Sequence, residues 1–319
     1  MGAESVGSAW LPRVATGAKV LCIGAVMADV VCRVPRLPER GEGVVVERRD
    51  VYLGGCAFNS ASIVRQMGYP CFLMAPIGRG LYADFIRREL DARGLSALQV
   101  DTALDCGSCT CFIEPDGERT MVTSPGIERC FEPTWFDSLD ASEFGFVLAA
   151  GYEIEGPGGD AILSFIEANP HLAFAYAPGP RIMGVAQDAA KMARIKKLSP
   201  LWHLNDLELA QISEGHAEGF EAAGAWLAAE FGNAVVVTRG KRGSTAFFPD
   251  GTSVSVPTDP VVPVDTVGAG DTHLGALAAS LCSGAGWRDS LASANRAAAA
   301  VCLVEGGALS DADYERLLG

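Results

Sequence analysis

The sequence has no apolar run approaching the roughly 20 residues that a membrane-spanning helix needs. Its start, Met1-Gly-Ala-Glu-Ser-Val, lacks the basic and apolar stretches of a secretory signal, and Gly2 lacks the downstream Ser or Thr of a myristoylation motif. A cytoplasmic location is therefore expected. Basic residues are also in short supply. With 25 Lys and Arg against 39 Asp and Glu, the net charge is −14, which argues against nucleic acid or an anionic membrane as partner. An anionic small molecule stays open, because backbone amides or a local Arg can hold one inside an acidic protein. Histidines number four, and His171, His203 and His216 share no spacing that would gather them on a metal. No Gly-x-x-x-x-Gly-Lys-Ser/Thr occurs, which excludes the phosphate-binding loop built on that motif.

Cysteine, by contrast, is plentiful. Most of the ten lie inside apolar runs such as Val20-Leu-Cys-Ile, where a reduced Cys acts as a small hydrophobe. Cys106-Gly-Ser-Cys109-Thr-Cys111 has the look of a metal cluster but no nearby fourth ligand, and Cys109, Cys111 and Ile113 would share one face of a strand. Strand packing is the simpler reading.

The composition is globular, with 49% apolar and 20% charged residues over 319 positions. Residues 1–18 are polar and Gly-rich and are expected to be frayed. From 19 to 319 an apolar strand, a Gly-rich turn and an amphipathic helix recur. Strands are predicted at 19–25, 70–77, 145–150, 172–177, 201–204 and 233–238. Helices are predicted at 55–68, 81–93, 159–168, 205–213, 218–230, 270–283 and 288–304. This alternation specifies an α/β fold, a doubly wound and mostly parallel sheet with flanking helices. Ligands then bind beyond the C-terminal ends of the strands.

Two segments break the rhythm. Val44–Leu53 reads as extended, and Thr110–Ile113 and Thr120–Thr123 flank the turn Pro115-Asp-Gly117. Neither carries a crossover helix, so both are assigned to a small β-flap, a lid over segments of about 31–53 and 108–124. An exposed flap strand invites pairing with a second subunit, so a homodimer is expected there. A further hairpin, 244–256, turns at Pro249-Asp-Gly251.

The sharpest chemical signal is Asp265-Thr-Val-Gly-Ala-Gly-Asp271, followed by Leu274, Leu277, Ala278 and Leu281 at helical spacing. Gly268, Ala269 and Gly270 thus form a small-residue turn into a helix, offering free N–H groups and the positive end of its dipole to an anion. Asp271 falls in the first turn, where the dipole is expected to keep it ionised and aimed at the same spot. An amide cradle beside a carboxylate suits phosphoryl transfer to an alcohol: amides meet the phosphoryl charge and the carboxylate takes the hydroxyl proton. The plain alternative is a Gly-rich loop whose Asp merely favours a helix start.

This stretch resembles the C-terminal signature of the ribokinase-like (PfkB) carbohydrate and nucleoside kinases. Gly54-Gly55-Cys-Ala-Phe-Asn59 resembles that family's Gly-Gly-…-Asn substrate motif, Asn205-Asp-Leu-Glu208 its Asn-x-x-Glu, Thr238-Arg-Gly240 its Thr-x-Gly, and Asp29 its early sugar-binding Asp. The five occur in the family's order over residues 19–310. The resemblance implies ATP and magnesium, with Asp271 as catalytic base and Gly268–Gly270 as anion hole. It puts a sugar or nucleoside near Asp29, Gly54, Gly55 and Asn59, and ATP across Thr238, Gly240, Arg242, Asn205 and Asn295. Glu208 would hold waters around magnesium, and a potassium site is implied at Asp265 and the loop near Gly307. Asn205 and Glu208 also read as a simple capping box, and the two roles are compatible.

The sequence departs from the ribose-specific pattern at Met27 and Cys56, where those members carry Asn and Lys. Ribose is therefore not expected to be the best substrate. Arg119 on the flap and Arg181 after a strand are candidates to face an acidic or hydroxyl-rich substrate, against the plainer reading of solvated side chains. His273, alone on its helix, is read as structural. Two rival readings stand beside this one. Gly78-Arg-Gly80-Leu-Tyr-Ala83 with Asp101 fits the fingerprint of an NAD(P)-binding dehydrogenase. A catalytically silent ligand-binding protein on the same fold is the other, and the intact Asp271 and Glu208 argue against it.

Overall fold

The computed structural model describes residues 6–10, 12, 14 and 17–319. Half of the expected frayed start lies outside the described residues. The part that is described packs: the Trp287 indole N–H donates to the Gly7 carbonyl at 3.0 Å.

The sheet begins at β1 (Lys19–Ile23), whose Val20 and Cys22 face one apolar layer while Leu21 and Ile23 face another. A strand buried on both faces needs helices on both, which crossover connections supply. β2 (Met27–Arg33) and β3 (Arg48–Gly54) come next, followed by α1 (Cys56–Gln66), β4 (Cys71–Ile77), α2 (Leu81–Ala92) and β5 (Ala97–Gln99). β6 (Ser108–Ile113) and β7 (Arg119–Ser124) form the predicted hairpin. Then come β8 (Phe144–Ala150), α3 (Gly151–Glu155), α4 (Gly159–Ala168), β9 (Ala173–Ala177), α5 (Ile182–Gln187) and α6 (Ala189–Leu198). After them lie β10 (Leu201–Asn205), α7 (Asp206–Ile212), α8 (Phe220–Phe231), β11 (Val235–Thr238), β12 (Ser244–Phe247) and β13 (Ser253–Val256). α9 (Ala269–Cys282), α10 (Trp287–Val301) and α11 (Asp311–Leu318) close the chain.

The main sheet runs β13-β12-β11-β10-β9-β8-β1-β4-β5. It is parallel from β11 to β5, and the hairpin β12–β13 adds an antiparallel edge. Strand order reverses between β8 and β1, so the crevice for a ligand opens beyond their C-terminal ends. α1 and α9 cross there, and their contact is close because Gly275 has no side chain: a Cβ would meet the Ser60 carbonyl oxygen at 2.5 Å. No helix among the described residues is long and apolar enough to cross a membrane.

The flap is a separate four-stranded sheet, β3-β2-β6-β7, with β2 and β6 parallel. It is larger than the expected lid. Residues 27–33, where no strand was predicted, form β2 at its centre and carry Asp29, and the strand predicted at 44–53 starts only at Arg48. Val30, Val31 and Cys32 give β2 its propensity, but apolar residues on both faces blur the alternation that marks a strand. The Cys106–Cys111 segment packs as strand and loop, and no metal-binding group of three or more ligands exists among the described residues.

Candidate active site

α9 opens at Gly268, which takes the left-handed conformation (φ 74°) and has no side-chain cap. A Cβ there would lie 2.0 Å from the Gly307 carbonyl oxygen, so only glycine lets the loop 303–308 close on the turn. Gly270 differs: a Cβ would meet nothing within 4 Å. The Ala269 N–H reaches the Thr266 carbonyl at 3.4 Å, but no side chain caps the helix, so the positive end of its dipole beside Gly270 faces open space.

Asp271 stands in this first turn, bound to its neighbours on α1. Its Oδ2 accepts from Asn59 Nδ2 at 2.9 Å, and its carbonyl accepts from Ser60 Oγ at 3.0 Å. Burial pushes the Asp271 carboxyl above the usual carboxylate value, while hydrogen bonds from Asn59 and the Cys56 thiol oppose that rise. Burial thus acts against the effect expected of the helix dipole. The outcome favours proton transfer, since a carboxylate with a raised pKa is the stronger base. Cys56 remains a thiol, its pKa pushed well up by burial and by the neighbouring carboxylates. Asn59 Oδ1 is buried without a partner, an acceptor awaiting a donor from outside the chain.

Across the crevice, Asp29 hangs from β2, paired in register with Tyr52. Its carboxylate lies against Gly54, where a Cβ would come within 1.9 Å of Oδ2. Gly55 (φ 102°) leads into α1 without a side-chain cap, and a Cβ there would strike the Ala25 carbonyl oxygen at 2.5 Å. Burial, then the charges of Asp265 and Asp271, push Asp29 up to about 7. Asp29, Gly54, Gly55, Asn59 and Asp271 are thus brought to one crevice.

A cleft of about 390 Å³ runs from Ala269 and Gly270 between β11, α10 and the loop 257–266. Thr238, Gly240 and Asn295 line it, as expected from sequence. Ala298 and Ala299 of α10, Cys302 just after it and Thr258–Val261 add to its wall. That loop was missed, because a segment without periodicity carries no sign of what it covers. Its size and largely apolar lining suit a small ligand with an aromatic ring.

Other expected residues point elsewhere. Arg242 Nη2 donates to Asp206 at 2.6 Å and is absent from the cleft wall. Arg181 pairs with Glu155 at 3.5 Å and lies over the Tyr152 ring. Arg119 is bound to Asp265 rather than turned toward Asp271. Asn205 caps α7 in a reciprocal capping box: its Oδ1 accepts from the Glu208 N–H, while Glu208 Oε2 accepts from the Asn205 N–H. Its Nδ2 also donates to Glu208 Oε1 at 2.8 Å, leaving that amide little to offer a nucleotide. Glu208 is buried, and burial with the charge of Asp271 raises its carboxyl. The Asp271 field thus reaches the carboxylate assigned to magnesium.

His273 has a partner the sequence did not reveal. Asn295 Nδ2 donates to the Val256 carbonyl at 3.0 Å, so its Oδ1 accepts from His273 Nε2 at 3.2 Å. His273 Nδ1 then accepts from His203 Nε2 at 2.9 Å. Burial holds both rings neutral, His273 at about 4 and His203 well below its ordinary value. This chain of bonds fixes Asn295 in the cleft wall, which His273 also lines. Glu153 was missed as well; it is buried beneath the crevice, pushed up to about 8 chiefly by burial, with Oε2 unpartnered.

The dehydrogenase fingerprint fails on geometry. The helix start it needs, at Gly80, is filled by Asp105, which accepts from the N–H groups of Tyr82 and Ala83 at 3.1 and 2.8 Å. An incoming phosphate would meet a carboxylate there.

The model of the pfkB family carbohydrate kinase matches residues 18–313. A sequence relative, the uncharacterized sugar kinase YegV of Escherichia coli (strain K12), is 31% identical over 314 residues, covering 97% of this chain and 96% of that protein. Ribokinase from Thermotoga maritima superposes with a TM-score of 0.78 at 21% identity, covering 94% of this chain and 99% of that one. Adenosine kinase from Sinorhizobium meliloti gives 0.80 at 20% identity, covering 95% and 100%. At these identities the two structures speak for the fold alone.

The crowding of Asp29 has a measurable consequence. Its folded pKa of about 7 exceeds the unfolded value, so the stability it contributes is full in acid and is lost as pH rises through about 7. Asp29→Asn cannot ionise, so its melting temperature relative to wild type should climb between about pH 4 and about pH 8. A constant difference across that range would show that Asp29 ionises freely.

Proposed function

Because this chain belongs to the pfkB family of carbohydrate kinases, we propose that it transfers the γ-phosphate of ATP to a hydroxyl of a sugar or sugar-like molecule. One observation carries this reading: an uncapped helix start with open space at Gly270 shares its first turn with Asp271. ATP lies in the cleft walled by Thr238, Gly240, Asn295 and Ala298, its γ-phosphate at Gly268–Gly270. The sugar lies between flap and α1, its hydroxyls meeting Asp29, the amides after Gly54 and the unpartnered Asn59 Oδ1.

Asp271 takes the proton of the attacking hydroxyl, whose oxygen forms the new bond to the γ-phosphorus. The bond from that phosphorus to the bridging oxygen breaks, and the electron pair leaves with ADP. The amides of the turn bear the charge spread over the moving phosphoryl oxygens, the term that dominates such reactions. Asn59 holds Asp271 by Nδ2 and orients it toward the acceptor. Magnesium would come with the phosphates, since no cluster of three ligands exists among the described residues, and Glu208 would hold its waters. It would offset phosphate charge in a site already rich in carboxylates.

A sugar is favoured over a nucleoside by the relative named as a sugar kinase, which shares 31% identity over nearly the whole chain. The proposal includes a homodimer through the flap. Its support is the register row Val51, Val30, Thr110 and Val122, in which the valines at both ends are 41% and 55% exposed. Closure of the flap over the sugar would exclude the water that otherwise competes as acceptor.

Two measurements test this. A panel of pentoses, hexoses, sugar acids and nucleosides, read by ADP release, should give kcat/KM highest for a carbohydrate other than ribose. A nucleoside at the top would replace the substrate class, and no turnover with any member would contradict the kinase reading. Separately, Gly270→Ala should leave folding intact, since the space is open and Ala favours a helix by about 1 kcal/mol over Gly. Its methyl would stand where the phosphoryl group must sit, so turnover should fall by about 100-fold or more, the scale of one lost oxyanion contact. Unchanged turnover in a stable variant would move the phosphate elsewhere.

A further inference from the structure

The family resemblance implies a monovalent cation at Asp265 and the loop near Gly307, but the donors gathered there do not fit one. A bound potassium ion needs several oxygen lone pairs left free and turned to one point. Asp265 Oδ1 instead accepts from the Val267 N–H at 2.9 Å and from the Arg119 guanidinium, and Oδ2 accepts from the Gly306 N–H at 3.2 Å. The Arg119 guanidinium also reaches a carbonyl of the same turn, with Nη2 on the Val264 oxygen at 3.3 Å. One positive group thus satisfies a carboxylate oxygen and a backbone oxygen, as a bound cation would. Both side chains are largely enclosed, Arg119 at 22% and Asp265 at 10% exposure, so this pair is no solvated surface bridge.

We propose that Arg119 is the resident cation of this turn, so that the enzyme needs no potassium and receives the charge with its own flap. The inference rests on the kinase reading above and adds to it a positioning residue. Asp265 begins the turn that ends at Gly268, and Gly306 precedes the residue whose carbonyl packs on Gly268. A cation on Asp265 therefore holds together the two segments that shape the amide cradle. The flap reinforces the tie nearby: Arg33, in one register row with Arg119, pairs with Glu305 at 2.6 Å, and Tyr52 donates to the same carboxylate at 2.7 Å. A mobile potassium ion would leave flap and cradle independent, whereas a guanidinium on β7 makes cradle geometry depend on flap position.

The test compares wild type, Arg119→Met and Arg119→Lys in potassium and in choline chloride at equal ionic strength. Melting temperature is one readout and turnover with the acceptor found in the panel is the other. Wild type should melt at the same temperature in both salts and turn over equally. Arg119→Met should lose kcat by about 10- to 100-fold in choline, as expected for one lost charge-assisted contact. Potassium should then restore part of the rate and raise its melting temperature, because an ion that binds only the folded state stabilises it. Arg119→Lys should stay insensitive to the salt, since it keeps a cation in reach. Potassium activation or stabilisation of wild type would overturn the proposal. So would an Arg119→Met variant that folds and ignores potassium. The melts need no turnover, so they decide the cation question even if no acceptor is found and the kinase reading itself fails.

Discussion

The start of α9 has to remain bare, and much of the site is arranged around that requirement. Its N–H groups can meet a ligand only if no side chain reaches them first. Elsewhere in the same chain this does happen: Asp105 fills the start of α2, Asp188 that of α6 and Asn205 that of α7. At α9 the entering residue is a left-handed glycine pressed on the Gly307 carbonyl, and Gly270 leaves the approach open. The loop 303–308 can close on the turn 265–268 because Gly268 lacks a Cβ where they touch.

Negative charge is the second constraint. Asp29, Asp271, Glu153 and Glu208 all have raised carboxyls, with burial as the leading cause in each case. A pocket that stores repulsion among its carboxylates is held at some cost in stability, and it gains when hydroxyl donors or cations arrive. Asp29 and Asn59 Oδ1 are acceptors waiting for donors, which is what a polyol supplies. Arg119 and Arg33 bring counter-charge from the flap, so that in the proposed reading closure and neutralisation are one event.

How much of this was legible depended on whether the relevant partner was near in sequence. The parallel sheet could be read because strand, turn and helix are local patterns, and both Pro-Asp-Gly hairpins fell where expected. The turn at Gly268–Gly270 could be read because its small residues are contiguous with the helix they open. β2 could not, since its apolar residues fall on both faces. The short α3, α5 and α6 were also missed; helices of one to three turns give little periodicity. Side-chain destinations were the least accessible. Arg119 finds Asp265 across 146 positions, His203 finds His273 across 70, and nothing local announces either pairing. Arg181 was assigned to a substrate on charge and Arg242 to ATP through the family resemblance, and the fold gives each a carboxylate of its own.

The central claim is that Asp271 removes the acceptor's proton, and Asp271→Asn puts it to the most direct test. The substitution keeps shape and keeps a hydrogen-bonding partner for Asn59 while removing the base. Turnover should fall by roughly 10²- to 10⁴-fold, the range for a positioned acid–base group. Calorimetric affinities for sugar and ATP, taken on the same folded preparation, should be nearly unchanged because the amide cradle and the flap remain. Turnover within about tenfold of wild type would contradict the account, since a lone proton acceptor cannot be lost so cheaply.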